Sequence, residues 1–275
     1  MIFSRHLYSK GADTTLVHYQ GNKFYHITVH THTNVLIFLH GGVNNPKFHD
    51  TSQISGLNFL LEENNLFIRD ALMNGFDVLI PITNDSLNWL TNHSYCFQYL
   101  SSFLDKSKKY ANKYISGFSD GGIGSYKIFY DNTQYFDGLL VFNGYPQHQN
   151  FYQHVDYKKV TNKKILFFST LRDKVIPYEF LLTEYIKQKE YNANTFLYVV
   201  KGGHSFAAYD SIAINNCFKI LTSTISNSKH DKTHGFLVND QLVEFYLYRK
   251  VITRKYNYGM DTYQENLKQR KKFKK

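Results

Sequence analysis

Two cysteines in 275 residues, Cys96 and Cys217, are too few and too far apart for a disulfide framework. They share no C-x-x-C spacing, so they do not point to zinc, and a reducing compartment is the expected setting. Long apolar runs are missing too. Stretches such as "VLIFL" stop far short of the roughly 18 residues of a membrane helix. The opening "MIFSRHLYSK" has no apolar core of about 7–15 residues as in a secretory signal. A cytoplasmic protein without a membrane span is expected. No internal repeat occurs, and no low-complexity linker precedes the C-terminal region.

Charge of one sign is scarce over most of the chain. The net charge is +10, but residues 249–275 hold ten Lys and Arg against Asp261 and Glu265. That stretch carries +8, which leaves only +2 for the other 248 residues. The basic character therefore belongs to a tail ending "KQRKKFKK", and blocks of like charge are usually solvated. Nucleic acid is not the expected partner of the folded body, and adhesion of the tail to RNA or an anionic surface is the alternative. Aromatic side chains, in contrast, make up 17% of the sequence and hydrophobic residues 43%, enough for a packed core.

Short β-favouring runs alternate with segments of helical length. The runs cover 23–29, 35–40, 76–83, 113–118, 137–143, 163–170 and 195–200. Several are almost continuous in Ile, Leu, Val and Phe, as befits strands buried on both faces of a parallel sheet. Helices are expected over 56–75, closed by Gly75, and over 95–112, 177–191 and 205–223. Pro177 suits a first helical turn, where its missing N–H costs nothing. The short "HTHTN" between the first two runs suggests that they pair as an antiparallel hairpin at one sheet edge. Strand–helix alternation otherwise argues for an α/β fold with right-handed crossovers, whose working residues lie at the carboxyl ends of strands.

Four of those ends carry chemistry. "HGG" (His40–Gly42) follows the run at 35–40, and Ser119 in "GFSDG" follows 113–118. Asp173 in "LRDKVIP" follows 163–170, and His204 in "KGGHS" follows 195–200. These are a nucleophile, an acid, a base and a glycine-rich donor loop. G-x-S-x-G alone is a weak signal; four parts at four strand ends make a strong one. Their order resembles the α/β-hydrolase superfamily, whose serine, acid and histidine follow one another along the chain. The resemblance spans residues 20–225 and is nearest to the esterase and dienelactone-hydrolase-like branches.

That resemblance implies a mostly parallel central sheet with helices on both faces. It implies Ser119 as nucleophile on a strained turn, Asp173 as acid and His204 as base. Asp156, after the run at 137–143, is the rival acid. The backbone N–H of Asp120 and those of Gly41 or Gly42 are the candidate oxyanion donors. His204 has to be largely neutral to take the serine proton, which an ordinary imidazole is at neutral pH. His40 reads as a residue that shapes the donor loop. No metal and no cofactor is called for.

Residues 144–162 are too few for a large helical cap, so a minimal cap and an open cleft are expected. Trp89, the only tryptophan, and Tyr145 are the candidate substrate contacts, with Trp89 equally placed to be core. The expected reaction is hydrolysis of a small-molecule carboxylic ester. Thioesterase, acyltransferase or peptidase chemistry uses the same parts, and a non-catalytic binding protein on this fold is the remaining alternative. The expected division is a catalytic domain over 1–226 and an extension over 227–275. Within the extension, 236–250 has mixed periodicity and could be a helix or paired strands.

Overall fold

The structure, a computed structural model, describes residues 12–42, 65–84, 87–145, 155–192, 194–200, 202–206, 209 and 211–222. The expectations for 56–64, for 146–154 within the cap segment 144–162, and for the whole extension at 227–275 lie outside the described residues.

Among the described residues eight strands form one sheet, in the order β1-β2-β4-β3-β5-β6-β7-β8. They are β1 (Asp13–Tyr19), β2 (Asn22–Thr28), β3 (Asn34–Leu39), β4 (Phe76–Pro81), β5 (Asn112–Phe118), β6 (Gly138–Phe142), β7 (Lys164–Thr170) and β8 (Thr195–Val200). From β4 to β8 all neighbours are parallel, whereas β1 and β2 form an antiparallel edge. The hairpin expected between the first two apolar runs is corrected: β2 pairs with β1 and β4, not with β3. Sequence adjacency favours a hairpin there, but β4 returns between the two runs. β1 itself was not anticipated. Its "DTTLVHY" mixes polar residues with apolar ones and is mostly half-buried, so it lacks the aliphatic run that marks the inner strands.

Among the described residues five α-helices cover the faces: α1 (Leu66–Met73), α2 (His93–Ser107), α3 (Asp120–Asp131), α4 (Tyr178–Lys189) and α5 (Ser211–Thr222). Strand alternation decides which core each residue joins. Val35, Ile37, Leu39, Leu139 and Val141 pack beneath α2, α3 and α4. Leu36, Phe38, Leu140 and Phe142 pack on the other face beneath α1 and α5. That second face holds a cross-strand aromatic ladder, with Phe142 stacked on Phe168 at 4.4 Å and Phe168 on Tyr198 at 5.0 Å. Asn65 caps α1 by accepting from the N–H groups of Phe67 and Ile68, and Gly75 closes it with a φ of +83°. Pro177 stands at the N-cap of α4, one residue before its first turn.

Strand order reverses between β3 and β5. α/β sheets open a crevice at such a switch point, outside the carboxyl ends of the strands. The chain leaves β3 toward Gly41 and leaves β5 toward Ser119, so both face that crevice.

Candidate active site

Ser119 joins β5 directly to α3, with φ +54° and ψ −118°. A side-chain-bearing residue seldom adopts this conformation, and it persists only where the surroundings enforce it. Here the Ser119 N–H donates to the Phe142 carbonyl at 2.9 Å, and its own carbonyl accepts from Ile123 at 3.0 Å. Close packing does the rest. A Cβ on Gly117 would lie 2.2 Å from the Gly121 carbonyl oxygen, and one on Gly121 would lie 1.8 Å from that of Leu39. The two glycines thus let the elbow, the helix and the end of β3 touch backbone to backbone.

His204 bridges serine and acid. Its Nε2 lies 2.8 Å from Ser119 Oγ, and its Nδ1 lies 2.7 Å from Asp173 Oδ2. A carboxylate only accepts, so Nδ1 carries the proton and Nε2 is left to accept from the serine hydroxyl. The imidazole is one-fifth exposed while the Asp173 carboxylate is fully buried. The acid is held on both oxygens. Oδ1 accepts the N–H groups of Val175 and Ile176 at 2.7 and 2.8 Å, and Oδ2 also accepts from Asn143 Nδ2 at 2.6 Å.

Gly41 lies against the elbow, where a Cβ would come within 3.1 Å of the Ser119 Cβ. Gly42 has φ +81°, a conformation suited to glycine. Asp120 is the first residue of α3, so its N–H follows the serine at the positive end of the helix dipole. His40 is buried behind this loop. Its Nδ1–H donates to the Gly41 carbonyl at 3.0 Å, and its Nε2 faces the Thr83 hydroxyl at 3.4 Å. Desolvation holds its pKa down at about 4, against the pull of the Gly41 bond, so the ring stays neutral at ordinary pH.

Three expected residues stand elsewhere. Asp156 caps a short 3-10 turn (Tyr157–Val160) by accepting from the Lys158 N–H. It lines a cleft with Tyr130, Asp131 and Asn132, at the far end of α3 from Ser119. Trp89 and Tyr145, the expected substrate contacts, are both enclosed, at 0% and 2% exposure. Trp89 lies edge-on to His40 at 4.7 Å and fills the space left by Gly124, and Tyr145 stacks on Phe180 at 4.7 Å. Among the described residues no group of three or more His, Cys, Asp or Glu is placed to hold a metal ion. No helix among them is long and apolar enough to cross a membrane.

Nothing in the residue pattern announces a polar cluster behind the acid. Asn143, Thr170 and Tyr209 come from three separate segments and meet around Asp173. An asparagine closing a strand reads as ordinary loop punctuation. Only its φ of +45° and its complete burial mark it as special.

The sheet order, the elbow and the strand-end positions together define the α/β-hydrolase fold. Comparison with solved structures agrees. The chain is similar to the Pyrococcus furiosus esterase Pf2001 at 12% identity and a TM-score of 0.55, over 80% of this chain and 91% of that one. It is similar to Est1E from Butyrivibrio proteoclasticus at 11% identity and 0.51, over 76% and 97%. It is also similar to FphF, a fluorophosphonate-binding serine hydrolase of Staphylococcus aureus, at 13% and 0.53, over 81% and 98%. No family model and no curated protein matches the sequence. Likeness at these identities establishes the fold and leaves the activity to be argued from the site.

Proposed function

We propose that this chain is a serine hydrolase that cleaves a carboxylic ester through an acyl-enzyme on Ser119. The observation that carries this reading is the unbroken run of hydrogen bonds from Ser119 Oγ through His204 to Asp173. Being named an esterase or serine hydrolase, the solved structures above lend it support.

As Ser119 Oγ attacks the ester carbonyl carbon, its proton passes to His204 Nε2. Asp173 stabilises the imidazolium and keeps Nδ1 protonated. The carbonyl oxygen, now negative, turns toward the N–H groups of Asp120 and of Gly41 or Gly42. One such donor is worth roughly 3–4 kcal/mol of transition-state stabilisation. Collapse breaks the C–O bond, and the departing alkoxide takes the proton from His204. Water then attacks the acyl carbon and gives a proton to His204. Expulsion of Ser119 Oγ, which recovers that proton, releases the carboxylic acid and restores the enzyme.

The direct test is turnover of a p-nitrophenyl ester beside matched thioester and amide substrates. Wild type should hydrolyse the ester with a burst of p-nitrophenol, and Ser119→Ala should show neither burst nor turnover. Equal rates for the two proteins would end this reading, and a preference for the thioester or amide would move the reaction class.

A further inference from the structure

We infer that Asn143, oriented by Tyr209, is a positioning residue that sets the acid of the catalytic run, an inference that rests on the Ser119–His204–Asp173 reading above. Asn143 closes β6 and is fully buried in a left-handed backbone conformation, φ +45°. Its backbone N–H donates to the Phe168 carbonyl at 2.8 Å, which fixes the residue to β7. Its side-chain amide then makes three contacts in three directions. Nδ2 donates to Asp173 Oδ2 at 2.6 Å and to Thr170 Oγ1 at 3.1 Å, and Oδ1 accepts from the Tyr209 hydroxyl.

The direction of this chain is unambiguous. The carboxylate can only accept, so Nδ2 has to face it, and Oδ1 has to face a donor. Tyr209 supplies that donor over the whole working pH range, because burial first, and the nearby Asp173 charge second, push its phenol well above its ordinary pKa. The Thr170 hydroxyl in turn donates to the Gly203 carbonyl at 2.9 Å, next to His204. The amide thereby ties the acid loop, the end of β6 and the histidine loop into one unit.

Two consequences separate positioning from mere structural filling. Asp173 Oδ2 is shared between His204 Nδ1–H and Asn143 Nδ2–H, so the amide competes with the imidazolium for the same oxygen. Removing it leaves more of the carboxylate's charge to the imidazolium, while Val175 and Ile176 still hold Oδ1. The acid limb of kcat/KM should then move to higher pH. The carboxylate also gains freedom to turn, so kcat should fall while KM stays put. Of the other titratable groups, Tyr209 beside Asn143 and His40 behind the donor loop are held neutral by burial. Asp120 heads α3, and the exposed Arg172 and Lys174 flank the acid. None of these three changes in the variants below.

Asn143→Gly is the clean variant, because glycine keeps the left-handed backbone without strain. Tyr209→Phe is the second, leaving the amide in place and removing only the hydroxyl that orients it. With a p-nitrophenyl ester, Asn143→Gly should lower kcat by about tenfold and raise the acid limb by about half a pH unit. Tyr209→Phe should do the same more weakly, and the double variant should be no worse than Asn143→Gly alone, since both act through one amide. An unmoved acid limb in Asn143→Gly would overturn the inference, as would full additivity of the two changes. Should Asn143→Gly fail to fold, an unmoved limb in Tyr209→Phe overturns it equally. Ser119→Ala, assayed beside them, distinguishes failure of the catalytic reading: full turnover there removes the reaction itself.

Discussion

Gly121→Ala adds one methyl group at the point where the elbow helix meets β3, and the structure sets its cost. The new Cβ would sit 1.8 Å from the Leu39 carbonyl oxygen, 2.5 Å from its carbon and 2.7 Å from the His40 oxygen. All three are backbone atoms, and none can rotate aside. Ordinary contact begins at 3.4 Å, so the gap between α3 and the end of β3 has to widen by about 1.6 Å. Overpacking on this scale costs typically 1–3 kcal/mol, or somewhat more where no side chain can yield. The same movement separates Ser119 from the donor loop at Gly41. A displacement of about 1 Å at reacting atoms costs on the order of 100-fold in rate. Gly21→Ala is the control. It sits at φ +79° in the β1–β2 turn with nothing within 4 Å of a Cβ, so it strains the backbone alone. Thermal melts and p-nitrophenyl ester turnover should show both variants losing stability, with kcat falling at least about 100-fold only in Gly121→Ala. A Gly121→Ala protein with wild-type kcat and an unchanged melting temperature would refute the packing argument.

Asp173→Asn should lower kcat by roughly 10⁴-fold, because an amide facing Nδ1 no longer fixes the tautomer. Asp156→Asn should leave steady-state turnover within about twofold, as expected of a surface change well away from the reacting atoms; the reverse ranking would put the acid on the other loop. His26 and His40 both have pKa values pushed down to about 4, chiefly by desolvation. Above about pH 6.5 each is neutral, folded or unfolded. Below it the unfolded chain takes up protons that the folded chain refuses, so stability falls from pH 6.5 down to 4. His26→Gln should therefore shrink the loss of stability between pH 7 and pH 5 by about 2 kcal/mol in urea titrations, and an unchanged loss would contradict the burial argument.

Much of this architecture is legible in the sequence, for reasons that differ by element. The inner strands announce themselves because burial on both faces demands runs such as "GLLVF" and "KILFFST". β1 does not, since an edge strand needs only part of its surface covered. Strand order was beyond reach at the edge. Apolar patterning says that β2 is a strand but not that β4 will come between it and β3. The candidate site is legible through its glycines and its strand-end spacing, which local chemistry dictates. Trp89 is harder. Its polar segment reads as a mouth loop, and only the bare face of α3 at Gly124 shows why the indole turns inward. Asn143 and Tyr209 are 66 residues apart, and nothing local to either forecasts their meeting.

The most direct measurement is the site of covalent capture. After incubation with a fluorophosphonate, digestion and mass spectrometry should find one phosphonyl adduct, on Ser119, and none in Ser119→Ala. Prior loss of His204 to Ala should slow its formation by orders of magnitude, since the serine then lacks its base. An adduct on another residue, or equal labelling of wild type and Ser119→Ala, would contradict the account at its centre.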